Sequence, residues 1–467
     1  MGDSTPSQST QASPSEASAA THHIPQSVVV ETPAQKRALS YSNTIHQLFT
    51  QVMDAKQPAD RILADYFRSH KKHGSKDRRV IRESLFGLFR WHGWLKQLTT
   101  AYTAPQAWFA SLALTAKIED HRWQDISAAW QAFSTLTELK ALDSIDELDS
   151  LHAKQQLLQR CFNQFSFAVT ELAPEWYWRH SQQLTDNEQY ALVDALSCRP
   201  PIWGRLQGIS AANAIDKLSK LDIEAKMSEF FVDAINLGHK SINLNALGLY
   251  NQGELEIQDL GSQVIGNICA PKPNESWWDA CSGAGGKTLQ LRSHMLLQDK
   301  HSKGSILASD IRKRPLEELM KRAKRAKFKQ ITVAPWLSDA LPVTGDHFDG
   351  VLVDAPCSCT GTWRRNPDMR WLDDEHAITD KPALQLDILS RASAAVRSGG
   401  TLVYATCSIS PSENEAVVNA FLTNYPQFEL QPLVHPFTGL TTTMLTVMPY
   451  QANSDGMFVA KMIKKPG

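Results

Sequence analysis

The sequence predicts a multidomain protein with an α-helical N-terminal domain, a small α/β module and a C-terminal α/β doubly wound domain. Three observations carry this. The chain has 467 residues, more than one ordinary core accommodates. In its N-terminal part, apolar residues such as Val80, Ile81, Leu85, Leu88 and Phe89 recur at the three- and four-residue spacing of a helix. From about residue 258, apolar stretches alternate with turn and helix patterns, as in a parallel sheet with helical crossovers.

The elements follow in order. Residues 1–35 are rich in Ser, Thr, Ala, Gln and Pro, bury too little apolar surface to offset their ordering entropy, and are expected to be a disordered tail. Residues 36–195 read as helical: Leu95 and Leu98 continue the periodicity, and Gly and Pro stay sparse up to Pro200-Pro201. Gly74 and Ser75 mark a break before a helix, with Ser75 expected to cap it. Residues 196–257 read as a small α/β module, with "IWGRLQ", "IEAKMS" and "ELEIQD" as short strands and Ser210 to Leu221 as a helix. Residues 258–467 form the doubly wound domain. "SWWDACSGAGGKTLQLRSHM" is strand, Gly-rich turn and helix, and "GSILASDIRKRPLEELMKRAKR" repeats strand, acid and helix. "ITVAPWLSDA", "FDGVLVDAPC" and "GGTLVYATCS" each end an apolar stretch in a polar or thiol residue. Ligands of such sheets sit beyond the carboxyl ends of the strands, and Asp279, Asp310, Asp339, Asp354 and Cys407 fall at or near those ends.

Composition sets outer bounds. Hydrophobic residues make up 42% and charged residues 21%, the balance of a globular protein. With a net charge of -1, any anion binding must come from local patches. The seven cysteines are odd in number and scattered, which argues against a disulfide framework and for a reducing compartment. No apolar run approaches the roughly 18 residues of a membrane span, and no basic-then-apolar leader opens the chain. The expectation is a cytoplasmic protein, without a membrane partner and monomeric.

The turn "CSGAGGKT", Cys281 to Thr288, admits three readings. A P-loop needs glycine where Cys281 stands, and a dinucleotide fingerprint needs glycine where Thr288 stands. Both patterns are broken. The third reading is the methyl donor S-adenosylmethionine, whose methionine end needs a tight turn and whose ribose hydroxyls need a carboxylate acceptor. Asp310 lies 24 residues beyond Gly286, and Asp339 is placed to accept from the adenine amino group. The plain alternative is a tight strand-to-helix turn, which the two acids make less economical.

Cys357 and Cys407 are 50 residues apart, yet each follows an apolar strand. A buried cysteine is ordinarily a small hydrophobe, and that reading suffices for Cys161, Cys198 and Cys269. It is weaker for a thiol beside Asp354 and Pro356 at a ligand-binding edge. Cys357 and Cys359 are too close for the usual structural zinc spacing, and no histidine cluster accompanies them, so no metal is expected. Thiols beside a methyl donor suit methylation of pyrimidine carbon 5. A thiolate adding at carbon 6 turns carbon 5 into a nucleophile, an acid such as Asp354 steadies ring N3 and the exocyclic amine, and a second thiol assists product release. Spacing alone leaves open which thiol attacks.

The stretches "DACSGAGGKT", "DAPCSCTGTWRRNPDMRW", "YATCSISPSENE" and "DGMFVAKMIKK" resemble the RsmB-type (Sun/Nop) RNA cytosine-5 methyltransferases. The likeness extends upstream through "LEIQDLGSQVIG" and "RPPIWGRLQ", and "ADYFRSHKKHGSKDRRVIRESLFGLFRW" resembles the opening of the NusB-like helical domain of bacterial members. The resemblance implies a Rossmann-like catalytic domain and Cys407 as the attacking thiol, with Cys357 releasing product. It implies that Cys281, Ser282, Gly283, Ala284, Gly285, Gly286 and Lys287 cradle the methionine end of S-adenosylmethionine, with Lys287 also reaching into the site. Asp310 would bind the ribose, Asp339 the adenine side, and Asp354 would face both donor and base. The family turn usually has alanine and proline where this chain reads Ser282-Gly283-Ala284, and Cys359 is an extra thiol without an assigned role.

The partner implied is RNA, small-subunit (16S) ribosomal RNA first and transfer RNA second. Two basic stretches suit a phosphate backbone: Arg68, Lys71, Lys72, Lys76, Arg78, Arg79, Arg82 and Arg90, and Arg312, Lys313, Arg314, Lys321, Arg322, Lys324, Arg325, Lys327 and Lys329. The plain alternative for each is a solvated helix face. Arg364, Arg365 and Arg370 are expected to grip the target nucleotide's phosphate, and Trp363 to stack on a base. Competing functions are a DNA cytosine-5 methyltransferase, against which the second thiol in "TCS" argues, and a non-catalytic RNA-binding assembly factor.

Overall fold

The computed structural model describes residues 28–143 and 147–466, so most of the expected tail lies outside the described residues. The first helix begins inside that tail, at Pro33: Thr32 accepts from the Gln35 N–H, and the Gln35 side chain accepts from the Thr32 N–H, a reciprocal cap.

The helical part comprises α1 (Pro33–Ala55), α2 (Ala59–Ser69), α3 (Ser75–Leu95), α4 (Ala104–Ile118), α5 (Gln124–Ser134), α6 (Leu151–Cys161), α7 (Glu175–Arg179) and α8 (Asp186–Leu196). Its core gathers Ile45, Leu48, Phe89, Trp91, Trp94 and Trp130, and the Trp130 indole donates to the Ala38 carbonyl at 2.9 Å. The α3 cap differs from expectation. Gly74 holds the capping position and Ser75 is already helical, because the Asp77 carboxylate accepts from the Gly74 N–H at 2.8 Å.

The small module contains β1 (Trp203–Leu206), α9 (Ala211–Ser219), β2 (Lys226–Met227), β3 (Ala234–Asn236), α10 (Gly248–Asn251) and β4 (Leu255–Ile257). Its strands form an antiparallel sheet in the order β2-β3-β1-β4.

The third part runs through α11 (Leu260–Cys269), β5 (Ser276–Asp279), α12 (Gly286–Gln298), β6 (Ser305–Ala308), α13 (Lys313–Arg325), β7 (Ile331–Val333), β8 (Phe348–Asp354), α14 (Met369–Leu372), α15 (His376–Thr379), α16 (Lys381–Ser393), β9 (Val396–Thr406), α17 (Glu415–Asn424), β10 (Phe428–Leu430), β11 (Leu433–Val434), β12 (Thr441–Thr442), β13 (Met444–Val447) and β14 (Met457–Lys464). The main sheet has the order β10-β14-β9-β8-β5-β6-β7, with β13 on β14. The strands β5 to β9 pair in parallel. The C-terminal strands are antiparallel, so the sheet is mixed rather than wholly parallel. The chain winds outward from β5 through β6 and β7, then returns to β8 on the other side of β5. This reversal opens a crevice at the β5/β8 strand ends, where Rossmann-like sheets bind ligands.

The segment after β8 joins this sheet to the helices. The Arg370 guanidinium, fully buried, donates to the carbonyls of Leu172 and Leu196 at 3.0 and 2.5 Å. The Trp371 indole donates to the Phe89 carbonyl at 2.7 Å, and Asp368 accepts from the Ala59 N–H at 2.8 Å.

Candidate active site

Strand β5 ends at Asp279, a buried carboxyl that accepts from Thr288 Oγ1 at 2.6 Å and that burial pushes up to about 7. The chain then turns through Cys281 to Gly285 into α12. Gly283 and Gly285 have φ of 52° and 84°, the left-handed region that favours glycine, and a Cβ on Gly285 would lie 2.4 Å from Leu319 Cγ. The turn is pinned to the next strand: Ser282 N–H donates to the Ser309 carbonyl at 2.8 Å, and Gly283 N–H to Asp310 Oδ2 at 3.0 Å. Arg322 donates to the Ala284 carbonyl at 2.6 Å.

Asp310, just past β6, also accepts from the Arg312 N–H at 2.7 Å and from its guanidinium at 3.0 and 3.1 Å. Burial alone would raise Asp310, but the Arg312 contacts outweigh it and hold the carboxyl below its usual range. Asp339 sits on the loop after β7 with its side chain fully exposed, 3.6 Å from Arg391.

Asp354 closes β8, and Lys287 Nζ, from the first turn of α12, lies 2.7 Å from its Oδ2. Burial raises the Asp354 carboxyl against the opposing pull of Lys287. Burial would lower Lys287, yet Asp354 outweighs it and keeps the ammonium above its ordinary value. Cys357 follows β8, and Cys407 follows β9. The two strands pair in parallel with Asp354 opposite Ala405, so the thiols meet with their Sγ atoms 3.3 Å apart. Hydrogen bonding with Cys359, together with burial, pushes Cys357 up to about 12. Contact with Cys357 and Cys359 pushes Cys407 well above the usual thiol range.

A buried carboxylate ties the two thiol-bearing turns together. Glu413 Oε1 accepts from the Ser358 N–H at 2.8 Å and from Gln385 at 3.0 Å, and its Oε2 accepts from the hydroxyls of Ser358 and Ser408, both at 2.5 Å. Gly361 N–H donates to the Cys407 carbonyl at 3.0 Å, and a Cβ there would lie 2.2 Å from the Gly456 carbonyl oxygen.

Cys281, Asp310, Asp339, Asp354 and Cys357 line one cavity of about 570 Å³, within the usual range for small-ligand pockets. Lys287 joins it through Asp354, and Cys407 through Cys357. Ser282, Gly283, Gly285 and Gly286 shape the turn beside it, whereas Ala284 lines a separate basic groove with Arg312 and Lys313. Sequence reasoning passed over Ile311 and Leu337, apolar yet 71% and 70% exposed, which line the same cavity with Trp336. Periodicity has no signal for an apolar loop residue. It also passed over Glu413, whose sole trace was its place in "SENE".

Several expected RNA contacts are not built as anticipated. Trp363 is buried against Trp176 and Tyr177, so it packs an interface instead of presenting a face to a base. Arg364 is buried and donates to the carbonyls of Cys198 and Arg199. With Arg370 on Leu172 and Leu196, both are structural ties rather than phosphate grips. Arg365 is half-exposed and bridges Asp259 and Asp455 at 3.1 and 2.7 Å. In the basic stretches, Arg90 is buried on Glu119 at 2.9 Å, and Arg322 and Arg325 pair with buried Glu256 at 2.9 and 2.5 Å. Arg78, Arg79 and Arg82 remain on a groove shared with Arg199, His239 and Arg365.

A glycine turn pinned by an acid, in a crevice at the switch point of a Rossmann-like sheet, is a geometry that suits a nucleoside-bearing ligand such as S-adenosylmethionine. A family model described as "16S rRNA methyltransferase RsmB/F" matches residues 267–463, the segment that carries the glycine turn, Asp354 and both thiol-bearing strand ends. The chain is 29% identical over 438 residues to the ribosomal RNA small subunit methyltransferase B of Yersinia pseudotuberculosis serotype O:1b (strain IP 31758), covering 89% of this chain and 96% of that one. The Yersinia pestis protein of the same name matches to the same extent. Among solved structures, PH0851 aligns with a TM-score of 0.68 at 22% identity, over 93% of this chain and 99% of that one. NSun6 from Pyrococcus horikoshii with SFG aligns with a TM-score of 0.56 at 18% identity, over 63% and 99%.

Proposed function

We propose that this protein methylates carbon 5 of a cytosine in RNA, small-subunit (16S) ribosomal RNA being the substrate favoured by its curated relatives. The observation that carries the chemistry is the pair of thiols, Cys357 and Cys407, 3.3 Å apart at adjacent strand ends beside Asp354 and Lys287. Two sulfurs that close can address neighbouring ring carbons of one base.

S-adenosylmethionine, when bound, supplies an electrophilic methyl group. Cys281, Ser282, Gly283, Gly285 and Gly286 would cradle its methionine end and Asp310 would accept from its ribose hydroxyls, using lone pairs beyond those Arg312 engages. Asp339 would serve the adenine amino group at the cavity mouth, and Ile311 and Leu337 would flank the ring. The Cys407 sulfur adds to cytosine carbon 6, and carbon 5 becomes the nucleophile that takes the methyl group. Asp354 steadies ring N3 and the exocyclic amine while Lys287, 2.7 Å from its Oδ2, fixes its orientation. Cys357 assists loss of the carbon 5 proton, and re-forming the ring double bond expels the Cys407 sulfur. A pyrimidine ring offers its edge only outside a base stack, so the target is single-stranded or flipped. The Arg78, Arg79, Arg82 and Arg365 groove would hold flanking phosphates.

The test is methyl transfer from labelled S-adenosylmethionine to small-subunit ribosomal RNA, transfer RNA and duplex DNA, with nucleoside analysis of the product. 5-Methylcytosine in ribosomal RNA is the expected result. The same product in transfer RNA alone moves the substrate, and the absence of methylation on every RNA favours an assembly factor.

A further inference from the structure

The sequence spacing of Cys357 and Cys359 set two thiols two residues apart; the fold adds a third. Cys359 takes a left-handed backbone conformation, φ 59°, which folds the segment back so that its sulfur joins those of Cys357 and Cys407. All three Sγ atoms lie within 4.8 Å of one another, and the Cys357–Cys407 pair is at 3.3 Å. In the reading above, Cys359 has no task. Two thiols suffice for attack and release, and Asp354 and Lys287 supply the polar contacts.

Three convergent sulfurs are a donor set for a thiophilic cation. Zinc–sulfur bonds of about 2.3 Å in a tetrahedral site put the sulfurs about 3.8 Å apart, between the closest pair and the outer limit observed here. Thiolate ligands select zinc and similarly soft ions over magnesium or calcium. The fourth position of the tetrahedron is left for water, as in zinc sites with three protein ligands. The cluster also sits on stiff supports. Cys357 and Cys407 close neighbouring strands of the sheet, and Glu413 fixes both of their turns.

We propose that Cys357, Cys359 and Cys407 form a zinc-class metal site that, when filled, blocks the enzyme. Each thiol releases its proton to solvent as its sulfur donates a lone pair to the ion; no oxidation is involved. Occupancy removes the sulfurs assigned to attack and to release, so loss of activity rests on the cytosine reading above, whereas binding of the ion does not.

The experiment uses the full chain, reduced with a non-thiol reductant. Cobalt(II) is titrated as a probe, followed by zinc in competition, on the wild type and on Cys359→Gly, a substitution suited to the left-handed backbone. Cys359→Ser serves as a second variant that keeps the side-chain size. Wild type is expected to bind one cobalt ion with an intense near-ultraviolet thiolate-to-cobalt band that zinc abolishes. Both variants are expected to bind at least about tenfold more weakly. In parallel, zinc is expected to inhibit wild-type methyl transfer reversibly by a chelator, and each variant less, relative to its own zinc-free rate. Absence of the thiolate band in the wild type, or equal affinity in the variants, overturns the site. A normal band with undiminished methyl transfer at full occupancy leaves the metal site standing and overturns the assignment of the catalytic thiols.

Discussion

Cys407 must lose its proton before its sulfur can attack a ring carbon, and its surroundings resist that loss. Neighbouring Cys357 and Cys359 and burial push its thiol well above the usual range, so it loses its proton at a higher pH than a free thiol. A raised thiol value means that the reactive fraction grows as pH rises, by about tenfold per unit below that value. Single-turnover methyl transfer is therefore expected to climb from about pH 7 to about pH 9 without a plateau, measured with labelled donor on a saturating RNA. A flat or falling profile would mean that substrate binding, rather than the thiol, supplies the limiting ionisation. The placement of Asp279, Asp354, Cys357 and Cys407 was legible in the sequence, because each falls at or just past a strand end and strand ends are readable from apolar runs, whereas Asp339 lies out on an exposed loop. The arginines were not legible. Arg364 and Arg370 look like surface charges in "TWRRNPDMRW", yet both are buried against carbonyls, because sequence carries no sign of which element will cover a loop.

At the scale of elements, the site depends on keeping the turn after β8 and the turn after β9 in register. The β8/β9 ladder sets their height, and Glu413 fastens Ser358 to Ser408 one residue beyond each thiol. Glu413→Ala would leave the Ser358 N–H, both hydroxyls and the Gln385 amide without their common acceptor. It is expected to cost at least about 3 kcal/mol of stability, since each orphaned buried donor costs about 1–3 kcal/mol. Methyl transfer should fall more than binding of S-adenosylmethionine, because the donor turn belongs to β5 and α12. Denaturant unfolding and donor titration of the same variant separate the two effects; unchanged unfolding with unchanged turnover would remove Glu413 from this role. The elements themselves were partly foreseen. Alternating apolar runs and Gly-rich turns marked β5 through β9, whereas the antiparallel C-terminal strands and the Gly74 cap depend on pairing and on a side chain three residues away.

Across the whole molecule, the segment between β8 and α16 serves two parts at once. Its first residues carry Cys357 and Cys359 into the cavity, and Arg370 and Trp371, further along it, are anchored in the helices. The helical part thereby borders the groove of Arg78, Arg79, Arg82 and Arg365, so the surface proposed for RNA and the proposed chemistry share one connecting segment. That connection was invisible in the sequence, where the domains read as successive units. The central claim is that Cys407 forms the covalent bond to the base and Cys357 frees it. The most direct measurement incubates Cys357→Ala and Cys407→Ala with the methylatable RNA and S-adenosylmethionine, then resolves protein under denaturing conditions. Cys357→Ala is predicted to accumulate a covalent protein–RNA adduct and Cys407→Ala to form none and to be inactive; an adduct in Cys407→Ala would contradict the assignment.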